Sequence, residues 1–311
     1  MSGLRKAYGE HVVLDGIDLE VARGTVFSLR LSLRPGTLPM THGDGGSRRR
    51  QLVRTAGALT YDRPMTIRWT YAFVDRPAEA FGRACDFWTA VTRTRLSPPR
   101  GEQGEFVTLL PGDGDACVKA QGVASGGGGA HLDLCPEDVP ALVESALRLG
   151  AEMVSDHPGW AVLRSPGGQL FCVVPWHGES ARPAAAEGPD GSMSRLDQVC
   201  VDLAPSAYDR DLVFWPALTG WDAHPGSRPE FHIVESPGLP VRILLQRLDE
   251  ERPTSAHLDL SCSDTEATRT WHEQLGATFV NRGARWTVMR DPAGGTYCLT
   301  ARDPSTGRLL A

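Results

Sequence analysis

Two histidine–aspartate pairs are the residues of this sequence best suited to chemistry. His131 and Asp133 stand two positions apart within A-H-L-D-L, and the same five letters recur at His257 and Asp259. Residues two apart on a β-strand share one face, so each Asp lies on the same side of the strand as its His. The Asp then either orients an imidazole that acts as a base or metal ligand, or stands at a strand end beside a hydrogen-bonded histidine.

Cysteine and tryptophan residues recur at the same spacing. Cys172 and Cys298 are either thiolate ligands or nucleophiles, or small core residues, since their strand neighbours are apolar. Trp160 and Trp286 are candidates for stacking on a flat ligand, because an indole offers a large apolar face and a polar edge.

These residues lie in a repeat with an offset of 126. The offset holds without a gap for over forty residues and carries Leu149-Gly150-Ala151 onto Leu275-Gly276-Ala277. Upstream, Phe87-Trp88 matches Phe214-Trp215 at an offset of 127. A period this long indicates a duplicated domain rather than a solenoid unit.

The sequence of each copy predicts the order of elements β-α-β-β(-β), and this order occurs twice within the copy. Hydrophobic periodicity and turn residues place these elements in the first copy: strand 66–74, helix 77–92, strands 105–110, 116–121 and 131–134, helix 136–149, and strands 160–163 and 169–174. Trp88 and Trp215 fall at helical spacing and are predicted to be core residues.

Length and composition predict an ordinary globular protein. The 311 residues suggest two domains, each long enough to bury a core of its own.

Seven cysteines without tight spacing predict reduced thiols and a cytoplasmic location. Residues 1–64 hold ten Lys and Arg against six Asp and Glu, which leaves a charge of −10 on the remainder and argues against a nucleic-acid surface there. No apolar run is long enough to span a membrane.

This pattern resembles the vicinal-oxygen-chelate superfamily, and within it the glyoxalase-like proteins. The resemblance rests on A-H-L-D-L, on L-G-A, and on the turns Ser165-Pro166-Gly167-Gly168 and Asp291-Pro292-Ala293-Gly294. It implies an α+β fold of two tandem glyoxalase-like domains, each with paired βαβββ modules that form a cupped mixed sheet. We therefore expect domains at 65–178 and 195–311, joined by a linker at 179–194.

The resemblance also implies where functional side chains project, namely from the first and last strands of each module. Carried over by position, the candidates are Tyr71, Gln121, His131 and Cys172 in the first copy, and Gln198, Gln246, His257 and Cys298 in the second. Neither set holds a carboxylate at the positions where metal-binding members place their ligands, and hard or borderline divalent ions favour carboxylates and imidazoles. We therefore expect no metal and no cofactor in either cup. The second copy is the one more open to a metal, because Gln ligates metal in some members of this superfamily and Asp202 and Asp259 lie on nearby strands.

The first 29 residues resemble a different family. Leu4–Gly9, Val13–Val21 and Gly24–Leu29 are similar to the opening of an ABC-transporter ATPase, in which Tyr8 would stack on adenine. No Gly-Lys-Ser/Thr follows anywhere, so the phosphate-binding loop is missing and ATP hydrolysis is excluded. Residues 1–64 are predicted to be a poorly ordered remnant rather than a domain.

Three functions remain open from the sequence. The first is metal-free binding of a small molecule, such as a drug or natural product in antibiotic resistance. The second is a lyase, isomerase or epimerase that uses His257 or His131 as a base, with or without a metal. The third is a scaffold with inactive cups. The ligand-binding candidates, beside the two histidines, are Tyr71, Gln121, Asp133, Trp160, Cys172, Gln198, Gln246, Asp259, Trp286 and Cys298. We expect a monomer or homodimer with a small-molecule ligand.

Overall fold

The structure, a computed structural model, describes residues 4–8, 11–17 and 66–310. The chain divides into two compact units, Met1–Ala58 and Leu59–Ala311. In the first unit, β1 (Leu4–Tyr8) and β2 (His11–Ile17) form an antiparallel hairpin. Apart from this hairpin, the interpretation of residues 1–64 as a poorly ordered remnant lies outside the described residues.

The second unit contains two mixed sheets, one for each copy of the repeat. The strands of the first sheet are β3 (Ile67–Pro77), β4 (Arg95–Leu96), β5 (Phe106–Leu110), β6 (Val118–Val123), β7 (Gly129–Pro136), β8 (Glu152–His157), β9 (Trp160–Arg164) and β10 (Leu170–Val173). Their spatial order is β4-β5-β6-β3-β7-β10-β9-β8.

The second sheet repeats this order and adds one short strand. Its strands are β11 (Ala186–Glu187), β12 (Met193–Leu203), β13 (Asp222–Pro225), β14 (Phe231–Glu235), β15 (Arg242–Arg247), β16 (Ser255–Cys262), β17 (Thr278–Arg282), β18 (Trp286–Arg290) and β19 (Thr296–Ala301). Their spatial order is β13-β14-β15-β12-β16-β19-β18-β17, with β11 paired to β12 outside this path. The predicted α+β class and the two tandem cupped sheets are confirmed.

Two helices cover each sheet. They are α1 (Phe81–Thr92), α2 (Val139–Arg148), α3 (Pro205–Thr219) and α4 (Thr265–Gln274), and a 3₁₀ turn at Ala78–Ala80 precedes α1. The repeat extends to the helix caps. Asp138 caps α2 by accepting a hydrogen bond from the Ala141 amide, and Asp264 caps α4 through the amides of Glu266 and Ala267.

The central strands decide which side chains face the cup. β3 runs antiparallel to β7 and parallel to β6, while β7 runs parallel to β10. Because side chains alternate across a strand, Phe73 and Asp75 face the concave side, and Ala72 and Val74 face the helices on the convex side. The first and last strands of the second module, β7 and β10 in the first copy and β16 and β19 in the second, are paired in both copies.

The two copies share one core, which corrects the expectation of a separate core for each domain. Trp88 of α1 packs edge-on against Tyr297 of β19 with ring centroids 5.3 Å apart, and Phe171 of β10 packs against Trp215 of α3 at 5.1 Å. A single cluster of buried side chains runs through both copies. The large aromatic residues at the convex faces are therefore covered by the other copy rather than by their own helices alone.

The sequence pattern missed the outer strands. β8 and β17 are mostly exposed and show no apolar alternation, because an edge strand of a sheet needs no buried face. The segment 179–194, interpreted as a linker, contains β11 and the start of β12. It is also bonded to the first copy, since Asp115 Oδ2 accepts hydrogen bonds from the amides of Ser180 and Ala181 at 2.7 and 2.8 Å.

Across the part of the chain that the structure describes, no helix combines the length and the apolar character that a membrane crossing requires.

Candidate functional site

The N-terminal cup is organised around His131, on the concave face of β7. Its Nδ1 lies 2.7 Å from Asp75 Oδ2, a carboxylate on the neighbouring strand β3. Phe73, directly opposite in the sheet, stacks on the imidazole with ring centroids 4.3 Å apart. The ring is thus held in one orientation from two sides, with Nδ1 facing Asp75 and Nε2 facing away from it.

The Nε2 side of His131 meets two further groups with ligand atoms. Asp133 Oδ1 lies 3.6 Å from Nε2, and Cys172 projects from β10 into the same place. The ligand atoms of His131, Asp133 and Cys172 all lie within 4.8 Å of one another. Asp133 Oδ1 is buried and has no hydrogen-bond partner. The other oxygen, Oδ2, forms an ion pair with Lys119 Nζ at 3.1 Å.

The carboxylates keep a proton on His131. Burial by itself lowers the pKa of an imidazole, but the negative charge and hydrogen bond of Asp75 outweigh burial, and contact with Cys172 adds to them. The pKa of His131 therefore lies well above its usual value of 6.5. At neutral pH the ring is a cation between two carboxylates rather than a free base.

The C-terminal cup repeats this arrangement around His257. Its Nδ1 lies 3.1 Å from Asp202 Oδ2, and its Nε2 lies 3.3 Å from Asp259 Oδ1. Burial lowers the pKa of His257, but Cys200, Asp202 and Cys298 raise it, so that the net pKa is well above 6.5.

The two cups differ beside the second carboxylate. In the C-terminal cup Gln198 Nε2 donates to Asp259 Oδ2 at 2.5 Å, where the N-terminal cup has Lys119. Asp259 Oδ1 is buried without a hydrogen-bond partner, as Asp133 Oδ1 is. The ligand atoms of Cys200, His257 and Asp259 lie within 4.8 Å of one another. Among the described residues, Asp259 therefore has no lysine or arginine in direct contact, and the imidazole of His257 is the basic group beside it.

Each cup opens into a cavity with aromatic walls. The N-terminal cavity has a volume of about 500 Å³ and is lined by Trp160 and Phe106 beside His131. The C-terminal cavity has a volume of about 160 Å³. Its wall contains Trp286 and Phe231, which pack edge to face with ring centroids 5.6 Å apart.

Most of the side chains predicted for the cups meet there. Lining the N-terminal cavity are Gln121, His131, Asp133, Trp160 and Cys172. Lining the C-terminal cavity are Gln198, Gln246, His257, Asp259, Trp286 and Cys298. Tyr71 is the exception, because it lies beneath the ammonium group of Lys119 and its hydroxyl donates to Glu179 Oε1 at 2.5 Å. Trp88 and Trp215 are core residues, as predicted.

The role given to Asp133 and Asp259 needs a correction. The sequence suggested that the Asp two residues after each His would orient the ring, but the orienting contacts to Nδ1 come from Asp75 and Asp202 on the neighbouring strands. A side chain on the same strand reaches only the Nε2 edge here. The pair Val74-Asp75 recurs as Val201-Asp202 at an offset of 127, and this is the sequence signal that identifies both residues.

The cup residues are of the chemical types that bind transition-metal ions. An imidazole, a carboxylate and a thiol are ligands of zinc and related ions, and the unpartnered oxygen of Asp259 is an acceptor that an ion would satisfy. Binding has a cost, because His257 and Cys200 must both lose a proton and burial raises the pKa of the Cys200 thiol. In the N-terminal cup, Lys119 adds a positive charge next to the same position.

The fold is shared with solved structures of low sequence identity. A Mn(II)-bound glyoxalase from Novosphingobium aromaticivorans is 17% identical over 80% of this chain and 87% of its own, with a TM-score of 0.53. A mutant 4-hydroxymandelate synthase from Streptomyces coelicolor is 13% identical over 80% and 94%, with a TM-score of 0.51. A 2,2',3-trihydroxybiphenyl 1,2-dioxygenase from Sphingomonas wittichii strain RW1 is 12% identical over 79% and 95%, with a TM-score of 0.50.

No curated protein matches the sequence significantly. The profile of the glyoxalase-like domain matches residues 71–174 and again residues 198–300. These segments contain both histidines, both cavities' tryptophans and the repeat that links them, which confirms the resemblance found in the sequence. Since the two segments together cover more than half of the chain, this protein belongs to the glyoxalase-like domain family and carries two tandem copies of the domain.

Proposed function

We propose that this protein binds a small organic molecule in its cups without a metal, with the C-terminal cup as the principal site. One observation carries the proposal: His257 lies between Asp202 and Asp259 at the base of a cavity whose wall is formed by Trp286 and Phe231. A ligand in this cavity meets the polar side chains of His257 and Gln246 and the aromatic surface of Trp286 and Phe231. Such a combination is typical of small-molecule sites.

The charges around His257 favour binding without an ion. A protonated imidazole places a positive charge between Asp202 and Asp259, whereas an ion would require its deprotonation. The aromatic walls suit a flat ligand, because an aromatic pair contributes about 0.5–1.5 kcal/mol beyond burial of its surface. Sequestration of an aromatic drug or natural product is the activity that this cup would support.

Ligand titration with the full chain tests the proposal. We expect a flat aromatic antibiotic or natural product to quench tryptophan fluorescence saturably, and Trp286→Ala to weaken binding by about tenfold, the loss of about 1.4 kcal/mol. Trp176→Ala is the matched control, since Trp176 does not line the C-terminal cavity. Equal effects of the two substitutions would count against binding in this cup.

A second candidate function is a metal-dependent lyase or isomerase. The observation that favours it is the buried, unpartnered Oδ1 of Asp259 beside His257 Nε2 and the Cys200 thiol. These three residues would hold a divalent ion, which supplies Lewis-acid polarisation of a substrate carbonyl. Asp202 would keep the ring oriented through Nδ1, and Gln246 would line the substrate cavity.

Elemental analysis of the dialysed protein separates the two functions. The binding proposal predicts well under one equivalent of zinc, nickel, iron or manganese, and no change in metal content in His257→Ala. Near one equivalent of an ion, lost in His257→Ala but retained in His232→Ala, would instead establish the metal-dependent function. His232 is a suitable control, because it lies on β14 of the same sheet, outside the residues that line the cavity.

A further inference from the structure

A second cavity, rich in arginine, adjoins the C-terminal cup. It has a volume of about 650 Å³ and lies between the segment before β12, the 224–242 region and the C-terminal residues. Ser227, Arg302 and Leu309 line both this cavity and the cup. A single ligand can therefore occupy the cup and extend past Arg302 into the second cavity.

The charges of this cavity do not cancel. Arg242 uses both nearby carboxylates, with Nη2 at 2.8 Å from Asp197 and Nη1 at 2.8 Å from Glu235. Arg182 and Arg302 also line the cavity, and neither forms an ion pair with any residue between 66 and 310. With the exposed Arg308, three guanidinium groups of this concave site form no ion pair with a described residue, and Arg182 and Arg302 are the two that are partly buried.

Burial of the guanidinium groups of Arg182 and Arg302 without a carboxylate is unfavourable in free energy. The Nε of Arg182 is buried and has no hydrogen-bond partner, and burial lowers the pKa of this guanidinium. Burial, together with the positive charge of Arg242, also lowers the pKa of Arg302, whose one side-chain hydrogen bond among the described residues goes to the Gly307 carbonyl. A bound anion would satisfy both groups, since guanidinium pairs with carboxylate and phosphate through charge-assisted hydrogen bonds.

The first copy has no counterpart of this cavity's charge. At the offset of 125, Arg242 corresponds to Cys117, and at the offset of 126, Arg302 corresponds to Trp176. Arg242 and Arg302 are therefore a property of the second copy and not of the shared fold, and Arg182 comes from the segment 179–194 between the copies. Residues 65–311 carry a net negative charge, so a general excess of basic residues does not explain these arginines.

We infer that the C-terminal cup takes a ligand with an anionic group, a phosphate or a carboxylate, which Arg182 and Arg302 bind in the adjoining cavity. This inference rests on the proposed function, because the apolar part of the same ligand would lie against Trp286. The binding of the anionic group itself depends on the arginines and not on the cup.

Calorimetric titration of the full chain with inorganic phosphate and with acetate, at constant ionic strength, tests the anion site by itself. We expect saturable binding of at least one of the two anions, and the tighter of them identifies the group. Arg182→Gln and Arg302→Gln should each weaken it about tenfold or more, the loss of one charge-assisted hydrogen bond. Arg290→Gln, an exposed arginine outside the cavity, should leave it unchanged.

A second titration compares phenyl phosphate and benzoate with phenol. We expect one of the two anions to bind at least tenfold more tightly than phenol, with the advantage lost in Arg302→Gln. Absence of saturable anion binding, or binding that Arg182→Gln and Arg302→Gln leave unchanged, would overturn the inference. Phenol binding that Trp286→Ala weakens, without any preference for the anions, would overturn the inference while the proposed function stands. Thermal unfolding of each variant establishes that it is folded.

Discussion

At the scale of single residues, the notable feature is a histidine with a carboxylate at each ring nitrogen, present in both cups. The contact with Asp75 or Asp202 orients the ring and raises its pKa, and the second carboxylate, Asp133 or Asp259, keeps one oxygen without a partner. A protonated ring in this position donates a hydrogen bond and neutralises charge. It becomes a base or a metal ligand only after it releases its proton.

Asp75→Asn should lower the pKa of His131, because it removes the negative charge at Nδ1 and keeps an oxygen that accepts a hydrogen bond. The pKa can be measured by NMR titration of the histidine ring. Asp113→Asn, an exposed turn residue, is the control and should leave the pKa of His131 unchanged. An unaltered pKa in Asp75→Asn would show that Asp75 does not hold the proton.

The same pKa shift links stability to pH. The pKa of His131 is higher in the folded protein than in the unfolded chain, so its contribution to the free energy of unfolding is complete below about pH 6.5 and disappears as the pH rises through the folded pKa. We expect the difference in stability between the wild type and Asp75→Asn, from urea unfolding, to shrink as the pH rises above that range. A difference that grows with pH would contradict this assignment.

At the scale of elements, each copy's first helix is anchored to the last turn of the other copy by a buried carboxylate. Trp88 Nε1 of α1 donates to Asp291 Oδ2 at 3.0 Å in the second copy's turn. The corresponding turn of the first copy has Ser165, and there the carboxylate comes from α3, where Asp211 accepts from both Ser165 Oγ and Trp215 Nε1. In one contact the carboxylate belongs to the turn, and in the other it belongs to the helix. Helix and turn are bonded to each other in both cases.

Asp291→Ala should destabilise the fold by about 3–5 kcal/mol, because it leaves the buried guanidinium of Arg76 without its partner. Arg76 Nε lies 2.7 Å from Asp291 Oδ2, and both side chains are at most 1% exposed. Urea unfolding measures the loss. Glu102→Ala, at an exposed loop position, should change stability by less than about 0.5 kcal/mol. A comparably small loss in Asp291→Ala would mean that water reaches Arg76.

At the scale of the whole molecule, the two glyoxalase-like domains share one hydrophobic core. The convex face of each sheet is completed by aromatic residues of the other copy, as with Trp88 against Tyr297 and Phe171 against Trp215. Each domain by itself would expose these large apolar side chains to water, at a cost of about 25 cal/mol for each Å² of surface.

The chain 65–190 alone is therefore expected not to reach a native, well-packed state. Its amide NMR spectrum should be poorly dispersed, and it should bind a dye specific for exposed apolar surface. The chain 65–311 is the matched control and should give a dispersed spectrum. A well-dispersed spectrum of the single domain would show that the contacts between the copies are dispensable.

Removal of residues 1–64 should leave the remaining protein folded. This segment lacks the phosphate-binding loop and the rest of the ATPase-like fold that its first 29 residues resemble. We expect the melting temperature of 65–311 to differ from that of the full chain by less than about 3 °C, which corresponds to roughly 1 kcal/mol for a protein of this size. A larger loss of melting temperature or of solubility would show that residues 1–64 contribute to the fold.

The sequence by itself determined the duplication, the order of the main elements and most of the cup residues. Repetition at a constant offset needs no tertiary information, and a strand with one face in a cavity places residues such as His131 and Asp133 on the same side. The exposed edge strands escaped prediction because they bury no apolar face. The carboxylate that orients each histidine escaped because Asp75 and His131 are 56 residues apart.

Only the tertiary structure decided the environment of those residues. Register between neighbouring strands brought Asp75 to His131 and Asp202 to His257, and packing between the copies removed the separate cores that chain length had suggested. Ion pairing of the arginines also depends on the tertiary structure. The sequence shows that the chain is acidic overall. Arg182 and Arg302 nevertheless form no ion pair with a described residue, because Arg242 holds both acidic side chains that line their cavity.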